Sequence, residues 1–120
     1  MTDGGTADHE AIVATGLDYY EGWFDGDAER MERALHPELA KRGIVPGGID
    51  TDTARTMIDA TAAGVGRSRD VADRDIRIRV DHVHGDIATA TITSAVYVDY
   101  VHLVRVGGRW RIVNALWART

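Results

Sequence analysis

The sequence predicts an α+β fold, with helices covering one face of a bent, mostly antiparallel sheet. Two observations carry this. Apolar residues in the first half recur at three- and four-residue spacing, whereas after residue 75 the period becomes two: Ile76, Ile78 and Val80 alternate with Arg77, Arg79 and Asp81. The chain then closes on Gly107-Gly108 between two alternating stretches, a two-residue hairpin signal because such a turn needs positive φ. Helices segregated from a run of strands argue for α+β.

Residues 1–5 read as a disordered lead-in and residues 6–120 as one domain. Thr6 or Asp8 can cap a first helix, with Glu10 favourable in its first turn. Its apolar positions are Ile12, Val13, Gly16, Tyr19, Tyr20, Trp23 and Phe24. The Asp25-Gly26-Asp27 stretch breaks it, and Asp27 caps a second helix that turns Met31, Ala34 and Leu35 inward. That helix stops at His36-Pro37, since the residue before proline disfavours the helical region. Leu39 to Val45 reads as a short strand ended by the Pro46-Gly47-Gly48 turn. Thr51 or Asp52 starts a third helix with Ala54, Met57, Ile58, Thr61 and Val65 on one face; Asp50 and Asp52 read as turn and cap residues. Residues 64–70 are loop. Turn residues at 84–86 separate the strand through Val80 from a long β stretch over 87–106, and the last strand runs from Arg109 to Trp117.

Composition narrows the function. The chain has 120 residues, no cysteine, 44% apolar and 28% charged residues and a net charge of −5 with both signs interspersed. No basic stripe suggests nucleic acid. No apolar run approaches the ~20 residues of a spanning helix. Thiol chemistry and thiolate metal sites are excluded. The polar, acidic start does not resemble a signal peptide, so a cytoplasmic location is expected.

A two-residue turn without irregularity would set His102 opposite Val113, Tyr100 opposite Ala115 and Val98 opposite Trp117. One hairpin face then carries Val98, Tyr100, His102, Val104, Val113, Ala115 and Trp117. The other carries Tyr97, Asp99, Val101, Leu103, Trp110, Ile112, Asn114 and Leu116. Both are substantially apolar, and the helices can cover one side only. A second copy on the other side is the simplest cover, so a homodimer is expected through the outer face of the sheet.

The first helix ending in YYEGWFDGDAERMERALHPELA, then a strand, a helix and a hairpin closing GGRWRIVNALW, resembles the nuclear transport factor 2-like superfamily from about Glu10 to Trp117. Within it the chain is most similar to the SnoaL-like proteins and the putative lumazine-binding group. The resemblance implies a cone-shaped α+β barrel that hosts isomerases, dehydratases, cyclases, epoxide hydrolases and non-catalytic binders. Laid over ketosteroid isomerase, a distant member, Trp117 matches a pocket tryptophan, His102 an oxyanion-stabilising acid and Tyr19 an oxyanion tyrosine. The face with Tyr100, His102, Val113, Ala115 and Trp117 is thereby implied to line a cavity. The position of that enzyme's general base falls on Gly43, so its base is absent.

His102 is the candidate acid or base, since a histidine exchanges protons near neutral pH; a hydrogen-bonded core histidine is the alternative. Tyr19, as its partner, would donate to an oxyanion. Tyr20, Trp23, Tyr100, Val113, Ala115 and Trp117 are the candidate ligand-binding residues, able to stack on a planar molecule, although aromatics at helical spacing also build cores. His82, His84 and Asp86 have metal-like spacing but read as turn chemistry. His36 is expected to meet free carbonyls at a helix end. Lys41 can enter the cavity mouth or be solvated, and Asp99 is expected to meet water, a partner or Arg105. The reading is a binder of a small hydrophobic or aromatic molecule, with no cofactor and no metal. An enzyme using His102 and Tyr19, or a dimeric interaction module with a filled cavity, are the alternatives.

Overall fold

Ile12, Thr15, Tyr19, Tyr20 and Phe24 form one buried stripe at helical spacing, and that stripe lays the first helix on the sheet. The computed structural model describes residues 2–120, with side chains from Gly5 onward. Helix α1 is Thr2–Asp25, α2 Ala28–Ala34 and α3 Ala54–Ala62. The strands are β1 Leu35–Val45, β2 Gly48–Asp52, β3 Arg77–His84, β4 Ile87–Thr93, β5 Tyr97–Val106 and β6 Arg109–Arg119. Of the lead-in expected over 1–5, Met1 lies outside the described residues; α1 as described starts at Thr2, ahead of the expected Thr6 and Asp8 caps. No helix among the described residues is long and apolar enough to cross a membrane.

Asp27 caps α2 as expected, its carboxylate accepting the Arg30 amide at 3.2 Å. The helix ends at Ala34, and Leu35 is already extended at φ −105°, ψ 134°. Leu35 is buried as expected, but from the start of β1. Helix α3 begins at Ala54, later than the expected Thr51 or Asp52. Thr53 is its cap, with Thr53 Oγ1 accepting the Thr56 amide at 3.2 Å and Thr56 Oγ1 accepting the Thr53 amide at 2.9 Å. Val65 lies beyond its end.

The six strands form one sheet in the order β2-β1-β6-β5-β4-β3. The β1–β6 pair is parallel and every other pair antiparallel. The sheet curves around the helices without closing, leaving β2 and β3 as edges. β1 starts at Leu35 rather than the expected Leu39, and two other stretches differ further. β2 occupies 48–52, where turn and cap residues were read. The β stretch over 87–106 breaks at 94–96, where Ser94 Oγ accepts the amides of Val96 and Tyr97 at 3.2 and 3.0 Å and turns β4 back against β5.

Gly107 and Gly108 take φ of 61° and 76°, and the terminal hairpin starts in the expected register, Val106 opposite Arg109 and Val104 opposite Arg111. The register then slips by one. Leu103 pairs with Ile112 but His102 pairs with Asn114, so Val113 is the extra residue of a β-bulge. Beyond the bulge Val101 faces Ala115 and Asp99 faces Trp117. The bulge changes which residues share a face. Ala115 and Trp117 join Tyr97, Asp99, Val101 and Leu103 on the helix-covered side, and Tyr100 and His102 turn outward.

Candidate functional site

Strand pairing assembles the site before any helix is added. Paired residues share a face, so one row runs Ile92, Asp99, Trp117, Gly43, Asp50 across β4, β5, β6, β1 and β2. The adjacent row on the same face runs Ala90, Val101, Ala115, Lys41, Asp52. Along β1, Leu39, Lys41 and Gly43 are buried while Arg42 and Ile44 are exposed, the alternation of a strand with one wet side. Gly43 is required there, because a Cβ would collide with the Trp117 indole, which packs against Gly43. The position where the resemblance lacks a base is thus filled by a tryptophan from the neighbouring strand.

Over these rows α1 and α3 leave a cavity of about 140 Å³. Tyr19, Tyr20, Trp23, Met57, Tyr97 and Trp117 wall it, and Lys41 and Asp99 are its ionisable lining within the sheet. Asp50, Asp52, Arg69 and Arg119 border it towards solvent, with Val65 beside them. The aromatic wall is built edge to face: Tyr19 on Tyr20 at 5.3 Å, Tyr20 on Tyr97 at 6.3 Å and Tyr97 on Trp117 at 5.7 Å between ring centroids. Trp23 Nε1 donates to the Tyr97 hydroxyl at 3.1 Å and fixes the upper wall.

Asp99 is 2% exposed. Its Oδ2 accepts the Tyr19 hydroxyl at 2.8 Å and, at a long 3.5 Å, the Tyr20 hydroxyl. Its Oδ1 is buried without a hydrogen-bond partner, as is Trp117 Nε1. Burial pushes the Asp99 carboxyl up to about 6, against the opposing pull of Lys41 and the two tyrosine hydroxyls. Burial next to Asp99 holds the hydroxyls of Tyr19 and Tyr20 well above the usual phenol value, so both stay donors. Lys41 is 8% exposed, and its Nζ lies 4.8 Å from the Tyr19 ring centroid and 5.7 Å from that of Trp117. Burial lowers its pKa, with Asp99, Asp52 and Asp50 pulling the other way. Among the described residues no carboxylate comes close enough to Lys41 to form an ion pair.

The structure therefore brings together some expected residues and separates others. Tyr19, Tyr20, Trp23 and Trp117 line the cavity. Ala115 is buried on the same face, between Lys41 and Val101, without lining it. Tyr100, 59% exposed, lies on the outer face of the sheet, as does exposed His102, whose Nδ1 is 3.2 Å from Asn114 Nδ2. Val113 is the bulge residue and does not line the cavity. The bulge is the physical cause of all three displacements. Lys41, read as either entering the cavity mouth or solvated, is buried at the cavity, and Asp99, expected to meet water, a partner or Arg105, is buried there too. Arg105 instead pairs with Asp8 at 2.6 Å and Asp86 at 2.9 Å. His36 Nδ1 accepts the Glu38 amide at 3.0 Å. Among the described residues no three acids or histidines converge as a metal site.

Lys41 did carry a signal in the sequence. Of the 14 basic residues it is the single lysine among arginines. Asp99 carried none, since its face of the strand, with Tyr97, Val101, Leu103 and Arg105, is no more apolar than the other, with Val98, Tyr100, His102, Val104 and Val106.

Comparison with known proteins gives a family and a fold. A family model described as Putative lumazine-binding matches residues 7–118. An aldolase, FrzH of Cladobotryum sp, is 21% identical over 120 residues, covering 93% of this chain and 91% of that protein. A crystal structure of a nuclear transport factor 2-like protein of unknown function from Silicibacter pomeroyi superposes with a TM-score of 0.76 at 20% identity, covering 96% of this chain and 98% of the other. A second, from Shewanella baltica, gives 0.76 and 20%, covering 96% and 95%. At these identities the structures show the fold.

Proposed function

The chain belongs to the family described as Putative lumazine-binding, and from that premise we propose that it binds a small planar molecule in the cavity beneath α1 and α3. The observation that carries this reading is the unpartnered Oδ1 of Asp99, a residue 2% exposed that lines an open cavity. Buried polar atoms are normally satisfied, and here a ligand is the natural source of the missing hydrogen bond. A cavity of about 140 Å³ is close to the size that holds a benzene-like ring. Its aromatic walls suit a flat molecule, and Lys41 and Asp99 suit one that carries a polar oxygen. The aldolase relative supports a carbonyl compound as the class, since aldol chemistry acts on carbonyls.

Titrating the tryptophan fluorescence with benzaldehyde, and separately with lumazine, tests the reading. Trp23 and Trp117 line the cavity, so saturable quenching is expected, with a dissociation constant on the order of millimolar or tighter for a ligand this small. Quenching that stays linear in concentration for both probes overturns it.

Catalysis through His102 has no support in its exposed position on the outer face. The enzyme reading rests on other residues of the cavity. We further propose that the outer sheet face, with Tyr100 59% and Leu116 52% exposed, pairs two copies of the chain. A cytoplasmic location accords with a cysteine-free sequence.

A further inference from the structure

We propose that Lys41 is a covalent nucleophile, whose Nζ condenses with the carbonyl group of an aldehyde or ketone held in the cavity while Asp99 exchanges the protons of the step. This rests on the reading that the cavity takes a small molecule, and it names the bond such a molecule forms.

Three observations carry it. The first is placement. Lys41 is buried at a lined cavity, its amine 4.8 Å from the Tyr19 ring centroid and 5.7 Å from that of Trp117, with no carboxylate in ion-pair contact among the described residues. Lysines rarely bury unless paired. A merely electrostatic or packing role is served by arginine, which this chain uses at its 13 other basic positions. Arginine cannot lose its proton and act as a nucleophile, whereas an amine can.

The second is a proton-exchanging partner. Asp99 lines the same cavity, and its Oδ1 has no hydrogen-bond partner while Oδ2 is held by the Tyr19 hydroxyl at 2.8 Å. That fixes the carboxyl and leaves one oxygen to carry or accept a proton. Burial lowers the pKa of the amine and raises that of the carboxyl to about 6, which moves both towards the forms that exchange a proton during the step.

The third is enclosure. Burial of Lys41 and the nearby Tyr19 and Trp117 rings limit water around the amine, which favours retention of an imine.

The step balances without an oxidant or reductant. The Nζ lone pair forms a C–N bond as the carbonyl π pair moves to oxygen, which takes the Asp99 proton. The nitrogen loses a proton to the Asp99 carboxylate. The C–O bond then breaks with that proton leaving on the oxygen as water, and the nitrogen pair forms the C=N bond. This leaves a protonated imine beside the Asp99 carboxylate, and return of the remaining N–H proton to Asp99 completes the balance: carbonyl plus amine gives imine plus water. The groups that set the charge around Nζ are Asp99 on β5, Asp50 and Asp52 on β2, and Tyr19 on α1.

The test uses the full chain with benzaldehyde and sodium cyanoborohydride, read by intact mass and peptide mapping. The only other primary amine is the chain's own α-amine, which mapping separates. The inference expects a single benzyl adduct on Lys41, formed at neutral pH about tenfold or more faster than on N-acetyl-lysine in the same tube. Lys41→Arg, checked for fold by circular dichroism, is expected to lose that adduct. Asp99→Asn is expected to slow adduct formation by about tenfold and flatten its pH profile while Lys41 remains labelled. Saturable quenching with labelling of Lys41 no faster than the free amine overturns the inference and leaves binding intact. Absence of both quenching and labelling overturns the two readings together.

Discussion

Asp99 and Lys41 carry opposite formal charges, yet each is pushed toward its neutral form by the same cause, removal from water. This makes Asp99 a cost to the fold at neutral pH. The native carboxyl keeps its proton up to about 6, whereas the unfolded chain releases it near 3.8. Between those values the native state binds more protons, so stability falls as pH rises; the contribution is full below about 4 and lost above about 6. Asp99→Asn has no proton to lose. It should match the parent near pH 4 and exceed it at pH 7 by up to about 3 kcal/mol, from a shift of about two pH units at 1.36 kcal/mol each. Urea denaturation of both proteins from pH 4 to 8 measures this, and parallel curves would contradict it. The sequence left Lys41 between the cavity mouth and solvent and put Asp99 on the wrong side of the sheet, for different reasons. Lys41 shares the parity of Leu39, but the short strand around it offers two faces of mixed character, so parity alone did not choose. Asp99 was misplaced because the hairpin was counted as regular.

That miscount belongs to the scale of elements. A one-residue bulge cannot be read from the Gly107-Gly108 turn, because the turn fixes register only as far as the ladder stays unbroken. Up to Val104 opposite Arg111 the expected pairing holds; after Val113 the β6 side chains change face relative to β5. Helical periodicity, by contrast, was legible in α1, since a long stripe ending in Tyr19, Tyr20 and Phe24 tolerates no slip. β2 was illegible because Gly48 to Asp52 has the composition of a turn, and only pairing with β1 makes it a strand. The β1–β6 contact is tight enough to be tested. Gly43→Ala should destabilise by about 1–3 kcal/mol, because the new methyl must displace the Trp117 indole. Denaturant unfolding gives the loss, and the emission of Trp117 should shift in the folded state. A neutral effect on both would show that the indole does not lie on this backbone.

At the scale of the whole molecule, the α+β class, the helices and the antiparallel run follow from a single change of period after residue 75, together with Gly107-Gly108. The sheet was expected to have two well-covered faces, and one chain covers only one. The proposed pairing of copies through the outer face predicts a dimer mass in light scattering after size exclusion. A double substitution, Tyr100→Glu with Leu116→Glu, should shift that mass to the monomer without loss of helical signal, because both side chains are exposed in the single chain. A monomeric parent would remove the proposal.

β2 is the shortest strand, pairs on one side only, and still supplies two of the acids, Asp50 and Asp52, that border the cavity. Edge strands open at lower free energy than central ones. When β2 frays, the way into the cavity widens and two negative charges leave the neighbourhood of Lys41 in the same motion. Loss of those charges loosens the proton on the amine while water entering around it tightens the hold, so the two effects of opening oppose each other. Access to the cavity and the charge around Lys41 are in this way tied to one five-residue strand.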